Sequence, residues 1–198
     1  GRGVLPDRPT RPWRAFLRYP DESAYPPCFS GDGRWGVFTS LQSLAGLAQI
    51  LIAPDRHGAA AGQAEWIAVT DGRNNDDKPQ FSPDGTWVAF TGGTGRSSGN
   101  YQDSEIFVAS FPGPGARVQI SNHGGAQPRW RADGKELFYI TLDKKLMAVS
   151  IDTAHGKLVA GVPHALFQSR IIASRIVLFQ YAVSPDGKTV ASVGADRR

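Results

Sequence analysis

One eleven-residue pattern recurs along this 198-residue chain and narrows its folding options more than any other feature. FSGDGRWGVFT (29–39), FSPDGTWVAFT (81–91), WRADGKELFYI (130–140) and VSPDGKTVASV (183–193) each set Asp-Gly between two strand-like runs. The turn aspartates Asp32, Asp84, Asp133 and Asp186 stand 52, 49 and 53 residues apart. A period near fifty predicts a repeat architecture. Asp-Gly between such runs is a hairpin signal. The aspartate can accept hydrogen bonds from the backbone ahead of it, and Gly33, Gly85, Gly134 and Gly187 supply a positive φ without steric cost.

The second copy shows what one repeat builds. KPQFS (78–82) and TWVAFT (86–91) flank the turn, and EIFVASFP (105–112) and ARVQIS (116–121) add two further strands around GPG. The unit is a four-stranded antiparallel meander. The first repeat matches it with AQILIAP (48–54) and AEWIAVT (64–70), and the third with KLMAVSI (145–151) and a weaker strand near KLVAG (157–161). Trp87 and Ala89 on one face, against Val88 and Phe90 on the other, leave neither side polar, so the sheet is expected to be buried on both faces. Such sheets packed face to face around an axis make an all-β fold, a β-propeller of four-stranded antiparallel blades. A sandwich would not require so regular a turn.

The expected single domain, 1–198, has blades over about 27–70, 78–121, 126–161 and an incomplete 179–198, with WRAFLRY (13–19) an outer strand of another or the closing blade. These about four repeats either close on themselves or belong to a larger six- to eight-bladed ring. An open blade face of about 500 Å² would be unusually large for a soluble monomer. At about 25 cal/mol per Å² it forgoes about 12 kcal/mol of burial, comparable to the stability of a whole domain.

Composition fits a globular chain, 40% hydrophobic and 20% charged, with 23 glycines and 14 prolines for many turns. The net charge of +4 is modest and scattered, which argues against a nucleic-acid surface. The lone cysteine, Cys28, permits no internal disulfide and reads as a small residue of the core. No apolar run reaches the roughly 18 residues of a membrane span. The first residue is Gly1 and no secretory start is visible, so a mature product or a piece of something longer is expected, and the compartment stays open.

PQFSPDGTWVAFT, PRWRADGKELFYI and YAVSPDGKTVASV together resemble the TolB-like propeller repeat, from about residue 13 onward. The stretch from EIFVASFPGPG to KKLMAVSI, with VPHALFQSR after it, resembles a bacterial subgroup in which the propeller commonly follows a serine/threonine kinase domain or a DNA-binding winged helix. The resemblance implies a ligand- or protein-binding scaffold, with any fused kinase or winged-helix domain outside this chain. Gly31, Arg131 and Ala132 depart from the pattern. No kinase motif lies within these residues.

Chemistry is sparse. GRSSG (95–99) has the spacing of a hydrolase nucleophile elbow, but TGGT before it and NYQDSE after it do not supply the strand and helix that Ser97 would need. His57, His123, His155 and His164 never approach metal-ligand spacing. DGRNNDD (71–77) lacks the order of a calcium loop. No catalytic residue, cofactor or metal site is expected. Because connections alternate between the ends of a blade, the Asp-Gly turns share one rim, while the irregular loops 41–47, 71–77, 92–103 and 122–125 share the other. Recognition is expected on that second rim, through Arg73, Asn74, Asn75, Asp76, Asp77, Arg96, Tyr101, Gln102 and His123. The expected function is a non-catalytic scaffold or sensor that binds a protein, peptide or small ligand. The alternatives are the propeller cap of a hydrolase or peptidase whose catalytic domain lies elsewhere, or a piece that only completes a larger ring.

Overall fold

The computed structural model describes residues 28–41, 47–55, 65–93, 103–112, 117–171 and 179–192. WRAFLRY (13–19) lies outside them. Among the described residues the first sheet has the order β1 (Cys28–Phe29), β2 (Trp35–Ser40), β3 (Gln49–Pro54), β4 (Ile67–Ala68). The second runs β5 (Asp77–Phe81), β6 (Trp87–Gly93), β7 (Ser104–Ser110), β8 (Val118–Gln119). The third holds β9 (Ala126–Trp130), β10 (Glu136–Ile140), β11 (Lys145–Asp152) and β12 (Val159–Ala160), with β13 (His164–Gln168) also paired to β11. A hairpin of β14 (Tyr181–Val183) and β15 (Val190–Ser192) follows. Every pairing is antiparallel between chain neighbours, save that β13 follows β12 along the same edge of β11. Among the described residues, 3-10 conformation occurs at Glu65, at Asp103 and over Ala154–Gly156, and no helix there is long and apolar enough to cross a membrane.

The four turns share one hydrogen-bond scheme. The amides of Ser30, Ser82, Arg131 and Ser184 donate to the carbonyls of Trp35, Trp87, Glu136 and Thr189, at 2.8–2.9 Å. Each turn glycine has a φ of 70–75° and donates its amide back across the turn. Asp32, Asp84, Asp133 and Asp186 accept the amide two residues ahead, from Arg34, Thr86, Lys135 and Lys188. In three repeats a serine closes the network, donating to the aspartate and accepting the amide that opens the next strand. Arg131 stands in the serine's place in the third repeat and grips Asp133 with Nε at 2.8 Å and Nη2 at 2.9 Å, while Nη1 reaches Glu136. Hydrogen bonds from Ser30 and from the Arg34 amide hold the Asp32 carboxyl down at about 2, and the Arg131 fork does the same for Asp133.

Between the turns, the period of two sends alternate side chains to opposite faces. Val37, Ile50 and Ile52 of the first sheet pack with Phe81, Val88, Phe90 and Phe107 of the second. From the opposite face of the second, Trp87, Ala89, Ile106 and Val108 meet Leu137, Tyr139, Val149 and Ile151 of the third. Phe138, Ile140, Leu146 and Ala148 then meet Tyr181, Val183 and Val190 of the hairpin. All seven residues of β6 are buried. Phe38 and Ala53, on the far face of the first sheet, are also fully buried.

The outer edge of the third sheet differs from the sequence expectation. Beyond Val159–Ala160, which pairs at Asp152 and Ile151, the chain returns to β11 as β13, with His164 opposite Ala148 and Gln168 opposite Lys145. The two pieces form one outer strand interrupted at Gly161–Pro163. Pro163 has no amide for the ladder, and a Cβ on Gly161 would lie 2.2 Å from the Ser150 hydroxyl.

Gly31, where the other repeats carry proline or alanine, is explained by its neighbour. A Cβ there would come within 2.6 Å of the Pro83 carbonyl oxygen of the next turn. Because the obstacle is backbone, it cannot rotate away. Gly31→Ala is expected to lower stability by about 1–3 kcal/mol, read as a shift of the urea unfolding midpoint at constant m-value. An unchanged midpoint would mean that the first two turns do not approach this closely.

Candidate functional site

Strands β1, β5 and β9, the first of each sheet, lie side by side, and β14 is joined to β9 by side-chain hydrogen bonds. Each leads into an Asp-Gly turn, so equivalent repeat positions converge on the axis. Counting back four and three residues from the turn aspartates gives Cys28 and Phe29, Gln80 and Phe81, Arg129 and Trp130, Ala182 and Val183. Seven of these eight, all but Cys28, line one cavity of about 300 Å³, together with Gly31, Ser82 and Pro83 of the adjoining turns. That volume sits at the lower limit of the clefts that hold small ligands, roughly 300–1,000 Å³.

The wall is aromatic, with one cation. Arg129 Nη1 donates to Gln80 Oε1 at 3.0 Å, and its guanidinium carbon stands 3.6 Å from the centroid of the Phe179 ring. The Trp130 indole donates to the Gln80 carbonyl at 3.3 Å. Burial pulls the Arg129 pKa below its ordinary value. Phe29, 43% exposed, lines this space. Cys28 is half-buried on β1 and forms no disulfide.

Three residues nearer the opposite rim, the same strands carry a polar layer. Gln127 and Gln180 are buried and exchange hydrogen bonds, Gln127 Nε2 to Gln180 Oε1 at 3.1 Å and the Gln180 amide to Gln127 Oε1 at 2.8 Å. The Gln127 amide donates to Thr91 Oγ1 and its carbonyl accepts the Tyr181 hydroxyl, so one residue ties three sheets together. Gln127 and its repeat equivalent Lys78 both take positive φ, 59° and 54°, before a proline, where the register of their strands shifts.

The second rim expected to carry recognition is divided in its roles. Arg73 is exposed and holds Asp71 through its backbone amide at 3.0 Å, and His123 is exposed on the β8–β9 connection. Asn74 is half-buried. The Asn75 side chain accepts the Ala48 amide at 3.0 Å and its carbonyl accepts that of Gly93, so it bridges two sheets. Asp77 pairs with the buried Lys78 at 2.7 Å. Asp76 lies below the surface, fully buried, and so offers nothing to a partner's surface. Arg96, Tyr101, Gln102 and the GRSSG stretch with Ser97 lie outside the described residues. The residues of the axial wall stand at the head of the repeated pattern, Phe29, Phe81, Trp130 and Val183 opening its four copies, and read from sequence only as strand residues; the signal that groups them is their constant offset from the turn.

Burial drives the Asp76 pKa up to about 6, and the Arg117 guanidinium at 3.9 Å and the nearby Thr70 hydroxyl only partly oppose it. Neither carboxylate oxygen has a hydrogen bond of normal geometry. Gly92 leaves room for this carboxylate, since a Cβ would lie 3.1 Å from Oδ1 and 2.5 Å from the Phe107 ring. The folded-state value lies above the unfolded one, so the native state binds the proton more tightly. The penalty is absent at low pH, grows as pH rises past about 4 and is complete above about 6, on the order of 3 kcal/mol. Asp76→Asn is expected to raise stability relative to the wild type at pH 8 and to lose that advantage toward pH 4. Urea midpoints across that range check it, and a pH-independent difference would contradict it.

No protein-family model and no curated protein matches this sequence. Solved structures do match. TolB from Acinetobacter baumannii aligns with a TM-score of 0.56 at 17% identity, over 88% of this chain and 39% of its own. A protein described as TolB from Agrobacterium tumefaciens aligns at 0.51 and 17%, over 72% of this chain and 50% of its own. A puromycin-hydrolyzing peptidase from Mycobacterium tuberculosis aligns at 0.60 and 19%, over 84% of this chain and 26% of its own. The chain thus spans half or less of the length of each. Stacked antiparallel sheets, axial first strands and these likenesses together give the chain the fold of a β-propeller, similar to that of the TolB structures.

Proposed function

We propose that this chain is a non-catalytic binding module whose ligand enters the axial pocket from the Asp-Gly rim. The observation that carries the reading is that the first strands of four successive sheets present their side chains to one cavity, with aromatic rings and one cation on its wall. Concave sites that gather a few convergent polar groups beside apolar side chains are where small ligands bind, and here Gln80, Ser82 and Arg129 stand beside Phe29 and Trp130. No group of three or more histidines, cysteines or carboxylates at metal-binding distance occurs among the described residues. The four turn aspartates are engaged with their own turns, which leaves them poorly placed for acid-base work.

A second reading draws on the likeness to the puromycin-hydrolyzing peptidase. Under it, the stack is the propeller of a larger hydrolase and the axial opening governs what reaches a catalytic domain elsewhere. Both readings place the traffic on the axis, whereas the loop-rim hypothesis places it on Arg73 and His123.

A random-peptide display library selected on the wild-type protein separates these sites. Ala182 lines the cavity and is exposed, so Ala182→Trp places a bulky ring in the pocket with little disturbance of the packed faces. The expected outcome is that selected peptides lose more than about tenfold in affinity on Ala182→Trp and keep it on Arg73→Ala with His123→Ala. Retention by the first variant and loss by the second would move the site to the opposite rim.

A further inference from the structure

Of the residues that line the axial pocket, only Arg129 is charged. Its surroundings set it apart from the other arginines. Arg34, Arg73, Arg117 and Arg131 each stand within 4 Å of an aspartate or glutamate, and Arg170, which has no such partner among the described residues, is exposed. Arg129 has no such partner among the described residues. Nη1 is committed to Gln80 and one face of the guanidinium is turned to Phe179. Nε is buried and has no hydrogen-bond partner. Arg129 is half-buried, so its guanidinium is partly desolvated with no carboxylate beside it to offset that cost.

We infer that the axial pocket takes a carboxylate carried on an aromatic or apolar body, with Arg129 as the anion anchor and Phe29 and Trp130 against the body. This rests on the axial-binding reading above and adds to it the chemical class of the ligand. Nη2 takes no hydrogen bond among the described residues, and a planar guanidinium with donors left over matches a carboxylate, which can accept two N–H donors. A dianionic phosphate would find only this one cation on the wall. The rings at the repeat position next to Arg129 supply apolar area beside the charge, and the cavity of about 300 Å³ admits one ring and a short chain rather than a large cofactor. A free carboxylic acid and the carboxyl terminus of a peptide share this chemistry.

The test uses two matched pairs of probes, measured by calorimetry and by quenching of tryptophan fluorescence. The first pair is 3-phenylpropionate and 3-phenylpropanamide; the second is Gly-Gly-Phe with a free and with an amidated carboxyl terminus. In the wild type each acid is expected to bind at least about tenfold more tightly than its amide, as a charge-assisted pair predicts. Arg129→Gln is expected to bring acid and amide within about twofold, and Arg129→Lys to restore part of the preference. Far-UV circular dichroism and the urea midpoint establish that both variants fold. Preference confined to the first pair identifies small acids as the source, and preference in the second pair identifies peptide termini. Equal binding of acid and amide by the wild type, absence of binding by all four probes, or a preference that survives Arg129→Gln would each overturn the inference. Equal binding that is nonetheless abolished by Ala182→Trp would leave axial binding standing and remove only the anion anchor.

Discussion

The second sheet is apolar on both faces, and the rest of the molecule follows from that. Every residue of β6 is buried, with Val88 and Phe90 facing the first sheet and Trp87 and Ala89 facing the third. A sheet of this kind cannot satisfy both faces with one partner, so it must stand inside a stack. Burying side chains such as these contributes about 1.5–3 kcal/mol each, far more than surface ion pairs such as Arg73 with Asp71. Twist makes neighbouring sheets fan rather than lie flat, which brings their first strands together and leaves their outer strands apart. The axial cavity is a by-product of that geometry, and the same repeat position lines it in successive sheets.

The repeated turn serves this stack by fixing register. A one-residue slip in β6 would exchange the two apolar sets and spoil both interfaces at once. The aspartate and the closing serine hold the turn through side-chain hydrogen bonds, and the glycine through its positive φ and backbone amide, at no cost in inter-sheet surface. Its variations follow local need: Arg131 replaces the serine by gripping Asp133 and Glu136, and Gly31 replaces proline where the next turn's carbonyl comes too close. At the other end of the first strands the polar layer around Gln127 fixes the sheets relative to one another by directional bonds, where apolar packing alone would permit sliding.

The fold was legible in the sequence because it is written four times. Alternation in TWVAFT and the Asp-Gly turn are local signals, and their recurrence near every fiftieth residue turned a local inference into an architecture. The split outer strand was hidden because Pro163 breaks the alternation that would have announced β13. The site was harder for a different reason. Loop composition pointed to 71–77, yet Asn75 spends its polarity on joining the first two sheets, and Asp76 is a buried carboxylate beside Arg117 of its own sheet. Arg129 resembles any surface arginine in a strand until the stack places it beside Gln80, Phe179 and the axis.

The measurement that tests the axial site most directly is an indole ¹H–¹⁵N correlation spectrum, recorded as 3-phenylpropionate is added, with the Trp130 resonance assigned through Trp130→Phe. Trp130 lines the cavity and packs at the margin of the core between the second and third sheets, within which Trp87 is buried. The account predicts a saturable shift of the Trp130 indole with Trp87 unmoved and with backbone amides at 71–77 unchanged. Shifts confined to residues 71–77 and His123, with Trp130 silent, would contradict it.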